Sequence, residues 1–126
     1  MSLRSPLGRA RGLGSAKSGT DHWWAQRLTA LALVPLIIWF VISMITITGA
    51  DHETALAFIG SPINAVLLTL LIVAVFHHGQ LGLQVVIEDY VHTKWLEVAL
   101  ILAVKGAAIF FGVASVYAVI AIALGG

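Results

Sequence analysis

The chain has 126 residues, of which 60% are hydrophobic and only 10% charged, against about 25% charged in ordinary soluble domains. Its formal net charge of +1 averages a basic N-terminal segment with an acidic stretch around residue 51, so the total identifies no partner. The absence of cysteine excludes disulfides, thiolate metal sites and iron–sulfur clusters held by this chain, and so apolar a composition leaves no room for an aqueous catalytic domain.

Residues 1–20, MSLRSPLGRARGLGSAKSGT, are polar, basic and rich in Gly and Ser. The expectation is a cytoplasmic arm held by a soluble partner, since so little apolar surface cannot order itself. Attraction to anionic lipid headgroups is the plainer alternative, and an Arg-rich tail without acids also fits a mitochondrial transit peptide. Beyond it, residues 21–126 read as one three-helix membrane domain. Leu28 to Ile47 is uncharged, Ile63 to Ile87 is uncharged while its histidines stay neutral, and Val98 to Leu124 carries one cation, Lys105. Each run meets the roughly 20 helical residues that a ~30 Å hydrocarbon layer requires. Backbone groups in lipid must be paired within their own segment, so the runs are expected to be helices, over about 24–48, 61–88 and 96–124. Pro35 falls inside the first and removes one backbone bond; Ser61-Pro62 is a good N-cap and first-turn pair for the second; Gly125-Gly126 ends the third.

Basic residues give the orientation. Arg4, Arg9, Arg11, Lys17 and Arg27 precede or open the first span and Lys94 follows the second, whereas the link between the first two spans carries Asp51 and Glu53 and no cation. The positive-inside rule puts the N-terminus and the Glu88-to-Glu97 region on the cytoplasmic side. Trp23, Trp24, Tyr90 and Trp95 then form an aromatic belt there.

The second span holds the chemistry-bearing residues, from His77-His78-Gly79-Gln80 to Asp89-Tyr90. At ~100° per residue the step from His78 to Asp89 turns about 1100°, returning to within roughly 20° of the same face, and it rises about 16 Å. Gly82 shares that face with His78, where a missing side chain lets a flat macrocycle approach the backbone, while His77 faces elsewhere. The residues alone leave two readings of His78 open: a haem ligand, or a hydrogen bond to a neighbouring helix of the kind polar groups make in membrane bundles. Lys105, deep in the third span, is expected to bond to a partner helix. No nucleotide loop, nucleophile elbow, zinc helix or nucleic-acid surface is present.

Asp21-His22-Trp23-Trp24-Ala25-Gln26-Arg27-Leu28-Thr29-Ala30 before and into the first span, His78-x-x-x-Gly82 in the second and Asp89-Tyr90 at its end together resemble the small cytochrome b membrane-anchor subunits of succinate dehydrogenase, respiratory complex II. The resemblance runs over nearly the whole chain. It implies an all-α integral membrane protein with three transmembrane helices, forming part of a multi-subunit bundle in a bacterial inner membrane, in preference to the mitochondrial one. By the same resemblance His78 is one axial ligand of haem b, with the other supplied by the larger cytochrome b subunit. Arg27 lies near the haem propionates, Gly82 packs against the haem, Tyr90 donates to a ubiquinone carbonyl, and Asp89 orients that site. Implied partners are the cytochrome b, iron–sulfur and flavoprotein subunits and membrane lipid; the resemblance also allows a trimer of heterotetramers. The chain alone is assigned no activity; as a non-flavin subunit it contributes to quinone reduction. A fumarate reductase anchor and a non-redox three-span assembly or transport subunit are the competing readings.

Overall fold

The computed structural model describes residue 6 and residues 17–125 of the chain. Most of the basic arm, including Arg4, Arg9 and Arg11, and the final Gly126 lie outside the described residues. Four helices follow in order among them: α1 (Lys17–Ile47), α2 (His52–Gly60), α3 (Pro62–Tyr90) and α4 (Lys94–Ala123). Three of these are long and apolar enough to cross a membrane. At 1.5 Å per residue each is about 45 Å long, so roughly a third of each lies outside a ~30 Å hydrocarbon layer.

α1 starts earlier than the apolar pattern implies, because the polar Lys17–Asp21 segment continues the helix out of the membrane. Pro35 lies within α1 without ending it; the bond it cannot donate is one among many in a long ladder. The chain leaves α1 through Gly49, whose φ of 83° lies in the left-handed region that glycine occupies without Cβ strain.

The link between the first two spans is itself helical, which the sequence reading did not anticipate. α2 starts at Asp51, whose Oδ1 accepts from the Thr54 N–H at 2.8 Å. It ends against Ser61, a single-residue joint whose N–H donates to the Phe58 carbonyl at 3.4 Å and whose own carbonyl accepts from the Ala65 N–H at 2.8 Å. Pro62 stands in the first turn of α3 as expected, but the Ser61 side chain caps nothing. Instead the Asn64 Nδ2 donates to the Phe58 carbonyl at 3.0 Å and closes the end of α2. Trp39 of α1 stacks on Phe58 of α2, ring centroids 6.2 Å apart, so the short helix is packed on the bundle.

α3 packs against both α1 and α4. Its seam with α1 is the core, where Leu33, Leu71 and Ala74 are buried and Leu36 and Phe40 close over them. Gly112 of α4 lets Phe76 of α3 approach: a Cβ there would meet the ring at 3.6 Å. Little else is enclosed. Leu31, Ile45, Leu102, Ile109 and Phe110 are all at least 64% exposed, leaving apolar flanks for lipid or for other helices.

Donation from Thr54 holds the Asp51 carboxyl below its ordinary value of 3.8. A depressed carboxyl stabilises the cap fully above its unfolded pKa and loses that contribution as the pH falls through the lowered value. Asp51→Ala should therefore lower the amide-exchange protection, measured relative to intrinsic exchange at the same pH, at Thr54 and Ala55, and acid should lower it in the unaltered chain. Protection that is indifferent to both would show that packing, and not the cap, holds α2.

Candidate functional site

Helical periodicity sorts the polar residues of α3 onto two sides. His78 shares the α1-facing side with Leu71 and Ala74, and its ring is half-buried. His77, one residue earlier and about 100° round, is exposed and lines a groove of about 600 Å³ between α3 and α4, together with Gln80 and Lys105. The two imidazoles thus have separate surroundings, as their spacing implies. Lys105 meets the groove at the depth of His77, beside a mostly apolar lining of residues such as Ile72, Phe76 and Val113.

Across the α1–α3 seam the Thr29 Oγ1 lies 3.1 Å from the His78 Nδ1. The same hydroxyl lies 2.7 Å from the Ala25 carbonyl and 3.1 Å from the Gln26 carbonyl, one turn back in its own helix. The hydrogen bond from His78 to a neighbouring helix therefore exists within this chain, and it leaves the Nε2 without a protein partner among the described residues. Sequence reasoning assigned Thr29 no part in this. The available signal was a hydroxyl on the same face of α1 as Leu33, Leu36 and Phe40, at the depth of an imidazole in an antiparallel neighbour.

Gly82 lies one turn nearer the α3 C-terminus, against Gln26: a Cβ at Gly82 would meet only the Gln26 Nε2, at 3.9 Å. The carboxamide of Gln26 keeps its buried Oε1 without a partner among the described residues. Gly79, on the flank of α3 next to His78, faces open space: a Cβ there would touch nothing within 4 Å. Beside a half-buried imidazole, α3 thus presents a strip of two glycines, Gly79 open and Gly82 faced by the Gln26 carboxamide of α1 with its unpaired oxygen.

Arg27 is not brought to that strip. It stands two residues from Thr29, about 200° round α1, and its guanidinium stacks over Trp23 with Cζ 4.9 Å from the ring centroid. Trp23 in turn meets Trp24 edge-on at 5.0 Å. A cation over an indole at a span boundary is held by ring electrostatics and by reach toward water.

Asp89 and Tyr90 close α3 at its C-terminal end, roughly 16 and 18 Å along the helix from His78 at 1.5 Å per residue. Both are exposed, Tyr90 at 78%, and its hydroxyl has no hydrogen-bond partner among the described residues. Residues 91–93 then lead into α4, where the exposed Lys94 pairs with the half-buried Glu97 at 3.5 Å; a pair this long with one partner in solvent contributes little. Gln84 donates to Glu88 Oε1 at 2.9 Å on the side away from Asp89. Two centres result: a half-buried imidazole deep in the bundle, and an exposed acid–phenol pair near the membrane boundary. No group of three or more potential metal ligands occurs among the described residues, so any metal bound at His78 needs ligands from outside this chain or from a prosthetic group.

Comparison with known proteins matches residues 1–122 to the family described as the succinate dehydrogenase/fumarate reductase transmembrane subunit. Similar relatives carry the name succinate dehydrogenase hydrophobic membrane anchor subunit. The protein from Rickettsia bellii is 37% identical over 117 residues, covering 93% of this chain and 94% of the relative. That from Paracoccus denitrificans is 34% identical over 125 residues, covering 96% and 93%. The succinate dehydrogenase membrane anchor subunit of Reclinomonas americana is 30% identical over 96 residues, covering 74% and 80%.

Proposed function

This chain belongs to the succinate dehydrogenase/fumarate reductase transmembrane subunit family, and from that premise we propose that it anchors a succinate:quinone oxidoreductase in a bacterial inner membrane, supplies one haem ligand and forms part of the quinone-reduction site. The single observation that carries this reading is the meeting of two sequence motifs in space. Thr29, from the Arg27-Leu28-Thr29-Ala30 segment, touches His78, from His78-x-x-x-Gly82, at 3.1 Å. The relatives above are all named for succinate dehydrogenase, so the proposal takes succinate oxidation as the working direction. The cytochrome b, iron–sulfur and flavoprotein subunits are the partners proposed, with the N-terminus and the Asp89–Tyr90 end on their side of the membrane.

The residues present fit haem b. His78 offers a neutral nitrogen in the apolar layer, where a charged ligand would be costly. Gly79 and Gly82 keep the neighbouring surface of α3 low enough for a flat ring. When bound, such a haem would supply one-electron transfer. By the resemblance the partner anchor subunit would supply a second imidazole and Arg27 would lie near the propionates, whereas in this structure the Arg27 guanidinium is stacked on Trp23, away from the His78 strip. His78 orients through its Nδ1 and presents its Nε2; the surrounding leucines and alanines exclude water.

Quinone reduction consumes two electrons and two protons, so its site belongs where water reaches. Tyr90 stands there with an unused hydroxyl. It donates to a quinone carbonyl oxygen as negative charge develops on it, in the manner of an oxyanion donor. Asp89 holds the polar surroundings through which protons arrive from the aqueous side. Electrons come from the iron–sulfur partner, since this chain has no cysteine to hold a cluster.

Two sets of variants of the assembled complex test these roles. His78→Ala should lose or weaken haem retention, while His77→Ala, which alters only the α3–α4 groove, should keep the low-spin spectrum. Loss of haem from the His77 variant alone would move the ligand by one residue. Tyr90→Phe keeps the ring and removes one donor, worth up to about 3 kcal/mol in a transition state, or roughly a hundredfold in rate at ~1.4 kcal/mol per tenfold. Quinone reduction should fall toward that limit while succinate oxidation by an artificial soluble acceptor and haem content persist. Unchanged quinone turnover would return Tyr90 to the aromatic belt.

A further inference from the structure

The Thr29 hydroxyl has one proton and three acceptor-type neighbours: two backbone carbonyls of its own helix and the His78 ring nitrogen. A carbonyl oxygen can only accept, so the contacts at 2.7 Å to Ala25 and 3.1 Å to Gln26 both require the hydroxyl proton, shared between them. Back-bonding of this kind is how a threonine satisfies its proton within a helix. With that proton committed, the hydroxyl oxygen has lone pairs left and nothing to donate. The 3.1 Å contact to the His78 Nδ1 is then a hydrogen bond only if the imidazole donates it. A neutral imidazole has one N–H. If that N–H is on Nδ1, Nε2 is the bare nitrogen.

We propose that Thr29 is a positioning residue for the haem ligand: its hydroxyl oxygen accepts from the His78 Nδ1–H, fixing the neutral tautomer and ring orientation that turn the Nε2 lone pair toward iron. The inference rests on the reading of His78 as a ligand and adds to it the group that prepares it. An acceptor behind the ring does two things. It removes the alternative tautomer, in which Nε2 carries the proton and cannot ligate. It also draws the Nδ1 proton away from the ring, making the imidazole a stronger donor, which favours ferric over ferrous iron. The threonine two residues after Arg27 thereby gains a physical reason. Its short, β-branched side chain holds the hydroxyl at the seam, on the face that also carries Leu33, Leu36 and Phe40, and its back-bond supplies the polarity that the imidazole needs.

The experiment compares the purified complex carrying Thr29→Val, Thr29→Ala, Thr29→Ser or His78→Ala with the unaltered complex, using haem content, the low-spin ferric electron paramagnetic resonance signal and the haem midpoint potential. Thr29→Val keeps the shape and removes the acceptor; Thr29→Ala removes it by truncation in favour of the best helix former, so the conclusion does not depend on one variant assembling. Both should weaken haem retention by about 10- to 100-fold, as loss of an outer hydrogen bond to a metal ligand does. Both should also shift the ferric/ferrous equilibrium about tenfold toward ferrous, a rise of about 59 mV for one electron. Thr29→Ser, which retains the hydroxyl, should restore retention, signal and potential. If His78→Ala loses its haem while Thr29→Val and Thr29→Ala keep an unaltered signal and potential, the positioning role is wrong and His78 remains the ligand. If His78→Ala keeps a low-spin haem, the reading of His78 as ligand fails, and the role of Thr29 fails with it.

Discussion

Hydrocarbon offers no hydrogen bonds, and the organisation of this chain follows from that constraint. Each polar group placed between the membrane boundaries must be answered by the protein, and the contact between Thr29 and His78, at 3.1 Å, is the answer given at the α1–α3 seam. Leu33, Leu71 and Ala74 supply the seam's apolar packing, but leucines and alanines tolerate sliding by a turn. A hydroxyl and an imidazole do not, because a displaced Nδ1–H would be left unpaired in an apolar layer at a cost of about 1–3 kcal/mol. One polar contact therefore fixes which turn of α1 faces which turn of α3, and with it the placement of Gln26 against Gly82.

The same constraint explains why the bundle is incomplete by itself. A three-span chain with this much exposed leucine, isoleucine and phenylalanine buries a narrow core and leaves most of each span's circumference to other surfaces. Lipid satisfies the purely apolar flanks. The flank of α3 beside His78 carries the open Gly79, and the Gln26 of α1 that faces Gly82 has an unpaired amide oxygen, features that lipid tails do not reward. That is the side on which a cofactor shared with another helix bundle makes physical sense. At the Asp89–Tyr90 end the side chains are exposed, as the quinone-reduction site proposed there requires, since a proton-consuming reaction needs water.

Much of this was legible before any coordinates. Three charge-poor runs of spanning length dictate three helices, and the distance from His78 to Asp89 along one helix follows from its rise. The separation of His77 from His78 is a consequence of 100° per residue, and the structure puts the two rings in different surroundings. What escaped was set by short-range polar chemistry. The helix between the first two spans depends on the Asp51 carboxylate and the Thr54 N–H, in a segment whose apolar content is too short to show a period. Ser61 fits the pattern of an N-cap, yet Asn64 closes the neighbouring helix end instead, a choice between local hydrogen bonds of similar strength. Thr29 was passed over because a lone threonine inside an apolar run has no partner in sequence; its partner is 49 positions away. Arg27 sits two positions from it and points to the far side of α1, where Trp23 holds it, a placement that motif spacing does not convey.

In the proposed function, His78 presents a neutral nitrogen to a haem that a second imidazole completes from outside the chain. The most direct test is the combined optical and electron paramagnetic resonance spectrum of the ferric complex, purified through this chain together with its partner subunits. A low-spin b-type haem with two imidazole ligands is the expected result. A complex with full dehydrogenase activity and no haem, or a high-spin haem with an open coordination position, would contradict it and return His78 to the role of a packing residue.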